Sequence, residues 1–547
     1  MKKIVNLCLI LAVGVMASSC NCFKKMAKNV DDVIVTCNPE VLTLKGNNII
    51  TDVTVSFPEK YYNKKAVAKV TPVLEFEGGS IVGTPQYFQG SKVKDNYIVI
   101  DQKMGGSYTM SVSFPYDPRA EVSTLVMVIE GRCNKETEMT EVARIPVAEG
   151  VNTLQNKMNY TSALELMSDK YEKTTTISEK ANIMYTINQS NVRKNQLTTE
   201  QIKALEAFIT ENVDKDRVTL GSVYANGYAS PDGPLALNDK LSKARSESGQ
   251  KALKNELKKV DGVSYDAAAY GEDWQGFKEL VEASNIEDKA MILQIPQMTS
   301  NPAERDAQIK NMSAVFEQLA KEVLPQLRRT QLVATAEVQN LTDAEIVAAI
   351  ERGEMSKLSL EQLLYGATLI NDNAAKAKVY AAAATTYNDA RAYNNLGVVN
   401  AQMGNWAEAS KAFSKASSLS SDAVINNNLA VGALAEGKIA EAKQYIAGAS
   451  AEAQALAAVA EGNYAAANGK LSGYNAAVNY VLEGNMSAAK SALAGDKSAD
   501  AEYLRAVIAS LQGNVAEAKA YLKSAIEKNP AMKAKAAKDV NLKALLK

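Results

Sequence analysis

Histidine is absent from this chain of 547 residues. The side chain most used as a general base near neutral pH is therefore missing, and with it the commonest zinc ligand, which removes histidine-based triads and classical zinc centres. Cysteine is scarce, five residues with no paired CxxC spacing, and no glycine-rich phosphate loop is present. Charge of one sign is lacking too: 61 basic residues stand against 62 acidic ones, so no global field favours nucleic acid. After the first sixteen residues no run is long and apolar enough to span a bilayer. These absences predict a protein that is not an enzyme and uses neither cofactor nor metal. The adjacent carboxylates Glu272 and Asp273 do not alter that reading, because no nucleophile or base accompanies them and they read as a solvated turn.

What is present begins at the N-terminus. "MKK", then "IVNLCLILAVGVM", then "ASSC" is a basic start, a short apolar stretch and small residues closing on Cys20. That order is an export signal. The closing run resembles a bacterial lipobox, with Ala17 where leucine is usual. The resemblance implies a signal peptide over residues 1–19, acylation of Cys20, and attachment to the lipid of a Gram-negative outer membrane, facing the periplasm. A lysine-bearing tether, mobile and near lipid headgroups, is expected over 20–33. Export permits a disulfide between Cys37 and Cys133, at opposite ends of one β-rich stretch, with two buried free thiols as the alternative and Cys22 left over.

Residues 34–150 carry seven short runs of alternating apolar and polar residues, separated by glycine, proline, asparagine and aspartate. This pattern predicts an immunoglobulin-like β-sandwich, with Tyr61, Tyr62, Tyr87 and Phe88 as packing residues. A polar, threonine-bearing linker, part of it helical, follows over 151–178. Strand and helix then alternate over 179–340, which predicts a sheet covered by helices on one face. From 341 to 547 the chain is alanine-rich and helical. A motif recurs there as "GNWAEAS", "GKIAEAK", "GNYAAAN", "GNMSAAK" and "GNVAEAK", starting at Gly404, Gly437, Gly462, Gly484 and Gly513. The unit "YNNLGVVNAQMGNWAEASKAFSKA" is similar to the tetratricopeptide pattern, through Tyr393, Leu396, Gly397, Ala409, Phe413 and Ala416. The resemblance implies stacked helix pairs that bind protein partners. Asn395 and Asn428 hold equivalent first-helix positions, able either to hydrogen-bond a peptide in the groove or to serve the repeat's own structure.

The segment "GYASPDGPLALNDKLSKARS" (227–246) joins a strand to a helix through a Pro-Asp-Gly turn. Gly227, Tyr228, Gly233, Asn238, Leu241, Ser242 and Arg245 fall on the pattern of the OmpA-like peptidoglycan-binding domain, which they resemble without a gap. "AYGEDW" at 269–274 and "LRRTQLVATAEV" from Leu327 resemble two further segments of that family. The resemblance implies that Arg245 grips a carboxylate of the peptidoglycan stem peptide, within a site including Ser230, Asp232, Asn238, Arg328 and Arg329. The family's aspartate falls on Ser230, a neutral hydroxyl that cannot neutralise an ammonium. Asp232, two residues on, is either its substitute or a turn residue. The resulting expectation is an envelope lipoprotein that ties the outer membrane to peptidoglycan and recruits proteins through its repeats. The alternatives are an adaptor or assembly factor of a secretion or surface machine whose OmpA-like domain has lost its ligand, and a surface glycan binder using the β domain.

Overall fold

Alternating patterns become strands wherever one face can be buried, and the N-terminal third of the chain does this twice. The computed structural model describes residues 21–298, 301–311 and 313–546. The expected signal peptide and Cys20 lie outside the described residues. One sheet has the strand order Val151–Asn152, Ile34–Lys45, Asn48–Phe57, Gly106–Pro115. A second runs Ile98–Ile100, Gln86–Gly90, Ala66–Phe76, Ser123–Cys133, Thr140–Glu149, with Gly79–Val82 also paired to Ala66–Phe76. Leu42 and Val53 of the first sheet share a core with Leu74, Phe88 and Leu125 of the second. Each expected strand run overlaps a strand, and Tyr62 and Phe88 are fully buried, the Tyr62 hydroxyl donating to the Phe88 carbonyl at 3.0 Å.

Two expectations for this region are corrected. The segment after residue 20 is no loose tether: Asn21–Lys28 is a helix whose Phe23 and Met26 are buried on the sheet. The ring of Phe23 occupies the space a side chain at Gly131 would need, 2.2 Å from the position of its Cβ. This docking brings Cys22 to Cys133, and these two form the disulfide. Cys37 does not pair with Cys133. It is a buried free thiol 3.1 Å from the Thr51 hydroxyl, with its pKa raised by burial.

The chain divides into two compact units, Met1–Asp169 with Met355–Lys547, and Lys170–Glu354. The second is an insertion into the first, and its sheet explains how. Thr174–Met184 pairs antiparallel with Arg329–Gln339 along its whole length, so Thr174 lies opposite Gln339 and the unit's two ends are neighbours. The sheet order is Thr174–Met184, Arg329–Gln339, Val223–Ala229, Tyr265–Glu272, with the short Val218–Leu220 also on Arg329–Gln339. The first strand starts inside the stretch expected to be linker, and the helix Asp343–Glu351, expected with the repeats, belongs to this unit. Two helices, Glu200–Asn212 and Leu235–Glu256, cover one face over Ala181, Ile183, Ala225 and Leu332. The last of these packs so closely on its strand that a Cβ at Gly227 would sit 2.0 Å from the Ser242 carbonyl oxygen. Only glycine fits there.

In the first unit the C-terminal region is a row of helix pairs, for example Ala390–Gln402 with Trp406–Ser417 and Ala499–Leu511 with Val515–Lys528. All five motif glycines, Gly404, Gly437, Gly462, Gly484 and Gly513, have φ between 74° and 82°. Each ends a first helix in the left-handed conformation and turns the chain into the second element, which is why the motif opens on glycine.

Candidate functional sites

Five of the six residues marked out in the second unit meet in one place. Ser230, Asp232, Asn238, Arg245 and Arg328 line a cavity of about 210 Å³ between the turn after Val223–Ala229 and the start of Leu235–Glu256. Arg245 is 1% exposed. Its Nε donates to the Gln189 carbonyl at 3.0 Å, its Nη1 to the Tyr228 carbonyl at 2.8 Å, and its guanidinium lies 5.4 Å from the Tyr185 ring centroid. Among the described residues no carboxylate forms an ion pair with it. Burial pulls its pKa down to about 10, with Arg328 adding to that effect and Tyr185 and Asp232 opposing it, so it stays a cation at neutral pH. A charge sealed this deeply without a counter-ion is costly, and carbonyl oxygens compensate it only in part.

The acid in the cavity is already engaged. The Ser230 hydroxyl donates to Asp232, Arg328 Nε donates to Ser230 Oγ at 3.2 Å, and Arg328 Nη2 lies 3.4 Å from Asp232 Oδ2. Two guanidiniums and one carboxylate leave this pocket with a net positive charge. Asn238 is spent on the loop: its Nδ2 is within hydrogen-bonding distance of the Ser230 and Gly233 carbonyls, at 3.2 and 3.1 Å, and of Glu272 Oε1 at 2.9 Å. It holds the loop that forms the rim.

Arg329 does not join them. Its Nε donates to Asp273 Oδ2 at 2.9 Å, with Nη2 at 2.8 Å from the same oxygen, and its guanidinium lies 5.6 Å from the Tyr228 ring centroid. The expected solvated turn at Glu272 and Asp273 is also corrected. Asp273 is 3% exposed and caps the helix Trp274–Ala283 through the Gly276 N–H at 2.8 Å, while Glu272 accepts from Asn238 and from the Trp274 indole. The residues missed by sequence reasoning are Tyr185 and the carbonyls of Gln189 and Tyr228. A carbonyl leaves no signal in a sequence.

The second place is the groove of the helix pairs. Asn395 and Asn428 do grip a peptide backbone, and the peptide is the chain's own segment 159–167. Asn395 accepts from the Met167 N–H at 2.8 Å and donates to the Met167 carbonyl at 2.9 Å. Asn428 accepts from the Glu165 N–H at 2.9 Å and donates to the Glu165 carbonyl at 2.7 Å. Asn475 makes the same two bonds with Asn159, at 2.7 and 2.8 Å, while Asn394 and Asn427 donate to the carbonyls of Glu165 and Ala163. All five amides are 3% exposed or less. Because every one has found partners, the ladder avoids the cost of burying an unpaired amide. It reads main chain rather than side chains, with Met158, Ala163, Leu164 and Met167 packing beneath. The signal that could have revealed it was the doubled asparagine in "YNNLG" and "NNNLA", at matching places in successive first helices.

No protein-family model matches the sequence, and comparison with curated proteins returns no relative. Among solved structures the chain is similar to one from the APC/C hetero-tetramer Cut9–Hcn1, at 13% identity and a TM-score of 0.29, covering 49% of this chain and 58% of that one. It is also similar to a tetratricopeptide repeat protein from Parabacteroides merdae, at 15% identity and a TM-score of 0.23, covering 50% of this chain and all of the other. Yeast Tom70 is matched at 14% identity and a TM-score of 0.25, covering 63% of this chain and 78% of its own.

Proposed function

We propose that this protein is a non-enzymatic envelope lipoprotein, anchored through acylated Cys20 in the outer membrane, facing the periplasm, and bound to peptidoglycan through its inserted unit. On this reading residues 34–150 are an immunoglobulin-like domain, 179–340 an OmpA-like domain, and the helix pairs a tetratricopeptide-like scaffold. The observation that carries the proposal is Arg245, a buried cation with no acid of its own, lining a cavity whose net charge is positive. A carboxylate of a stem peptide supplies the missing counter-charge through a charge-assisted contact. Proteins recruited by the repeats meet the larger cavity of about 910 Å³ beside the occupied ladder, where Tyr160, Trp406 and Tyr474 line the wall.

The test is co-sedimentation of the mature chain with purified sacculi. Arg245→Ala is expected to release the protein into the supernatant, with thermal unfolding checked in parallel. Retention unchanged by that substitution, or absent in the unaltered chain, contradicts the proposal. The second reading, an adaptor whose pocket has lost its ligand, is favoured by Arg328 already holding Asp232. It requires partner assembly to survive Arg245→Ala.

A further inference from the structure

The sheet of the inserted unit has a face that the helices do not cover. Val223, Ala225, Gly227 and Ala229 point under Leu235–Glu256, so Tyr224, Asn226 and Tyr228 point the other way. On that open side Tyr228 stacks on Tyr270, ring centroids 5.2 Å apart and planes 15° from parallel. Tyr270 is 58% exposed and Tyr224 44%. Beside the rings runs a row of amides in cross-strand register, Asn182 opposite Gln331 and Gln331 opposite Asn226. The Oδ1 atoms of Asn182 and Asn226 are buried and have no hydrogen-bond donor.

We propose that this open face binds a polysaccharide chain. Flat aromatic rings suit the C–H faces of pyranose sugars, and amides short of donors suit hydroxyl groups after a small rotation of the side chain. A nucleic acid would need a run of uncommitted cations to meet its phosphates; this face has Arg329, bound to Asp273, and Lys180, offset by Asp266. Tyr228 joins this ledge to the pocket, because its carbonyl accepts from Arg245 while its ring stacks on Tyr270. The choice of an amino sugar as probe rests on the peptidoglycan reading above; the ledge itself rests on the rings.

The experiment is a titration of the mature chain with a β-1,4-linked N-acetylglucosamine hexamer, followed by calorimetry. Saturable binding is expected, weakened ~10-fold or more by Tyr270→Ala and by Tyr224→Ala, and kept by Tyr270→Trp, which restores a flat ring. A stem peptide without sugars, titrated in parallel, reads the pocket alone, so failure of the pocket and failure of the ledge are read separately. No saturation up to about 10 mM, a range reserved for very weak ligands, overturns the inference. So does binding indifferent to both alanine substitutions, or tyrosine-dependent binding of oligouridylate in place of the sugar.

Discussion

The asparagine ladder and the Arg245 pocket solve the same problem, a buried polar group, in opposite ways. In the ladder Asn395, Asn428 and Asn475 each give both a donor and an acceptor to one residue of the segment 159–167, and every bond stays inside the chain. In the pocket Arg245 has carbonyls and a ring around it, and among the described residues no carboxylate pairs with it. A satisfied site stabilises the fold; a site short of a counter-charge is poised to take one from outside. The difference is in the partners each buried group has found, which motif resemblance alone does not show.

Substitutions can break this contrast or sharpen it. The largest effect is expected for Asn428→Leu, which strips the Glu165 backbone of two partners and Asn394 of a third. The Glu165 N–H loses Asn428 as its acceptor while its carbonyl keeps Asn394, which costs about 1–3 kcal/mol, measurable as a fall in the urea midpoint of the first unit. Next is Ser230→Asp. It places a second carboxylate next to Arg328 and, on the proposed reading, is expected to tighten a diaminopimelate-containing stem peptide ~10-fold by calorimetry, through a charge-assisted contact with the ammonium. The smallest is Arg245→Met. Replacing an uncompensated buried cation with an apolar side chain of similar reach leaves stability within about 1 kcal/mol or raises it, while peptide binding disappears. If Arg245→Met destabilises as strongly as Asn428→Leu, the arginine is a structural residue and the contrast fails.

Much of this was legible in the sequence because local rules and the fold agree. The seven alternating runs overlap strands, and all five motif glycines are left-handed at helix ends. Gly227 through Arg245 could be read as a strand-to-pocket-to-helix segment because the tight packing at Gly227 and the loop held by Asn238 both need particular residues. What stayed hidden depends on contacts between distant parts. The residues 159–167 look like any polar linker, since the ladder holds their backbone and their side chains carry no signature. Thr174–Thr176 also read as linker, yet pair with Gln339–Glu337 as a strand, because threonines on an open sheet face need no apolar alternation. The cysteine spacing permits a Cys37–Cys133 bridge or two free thiols alike, and carries no sign that Phe23 docks on Gly131 and brings Cys22 to Cys133.

Amide hydrogen exchange of the chain, with and without a stem peptide, tests the central contrast directly. The N–H groups of Asn159, Glu165 and Met167 should be strongly protected in both samples, while those of Ser230 to Gly233 should gain protection only when the peptide is present. Fast exchange along 159–167, or a loop at 230–233 indifferent to the peptide, would contradict it.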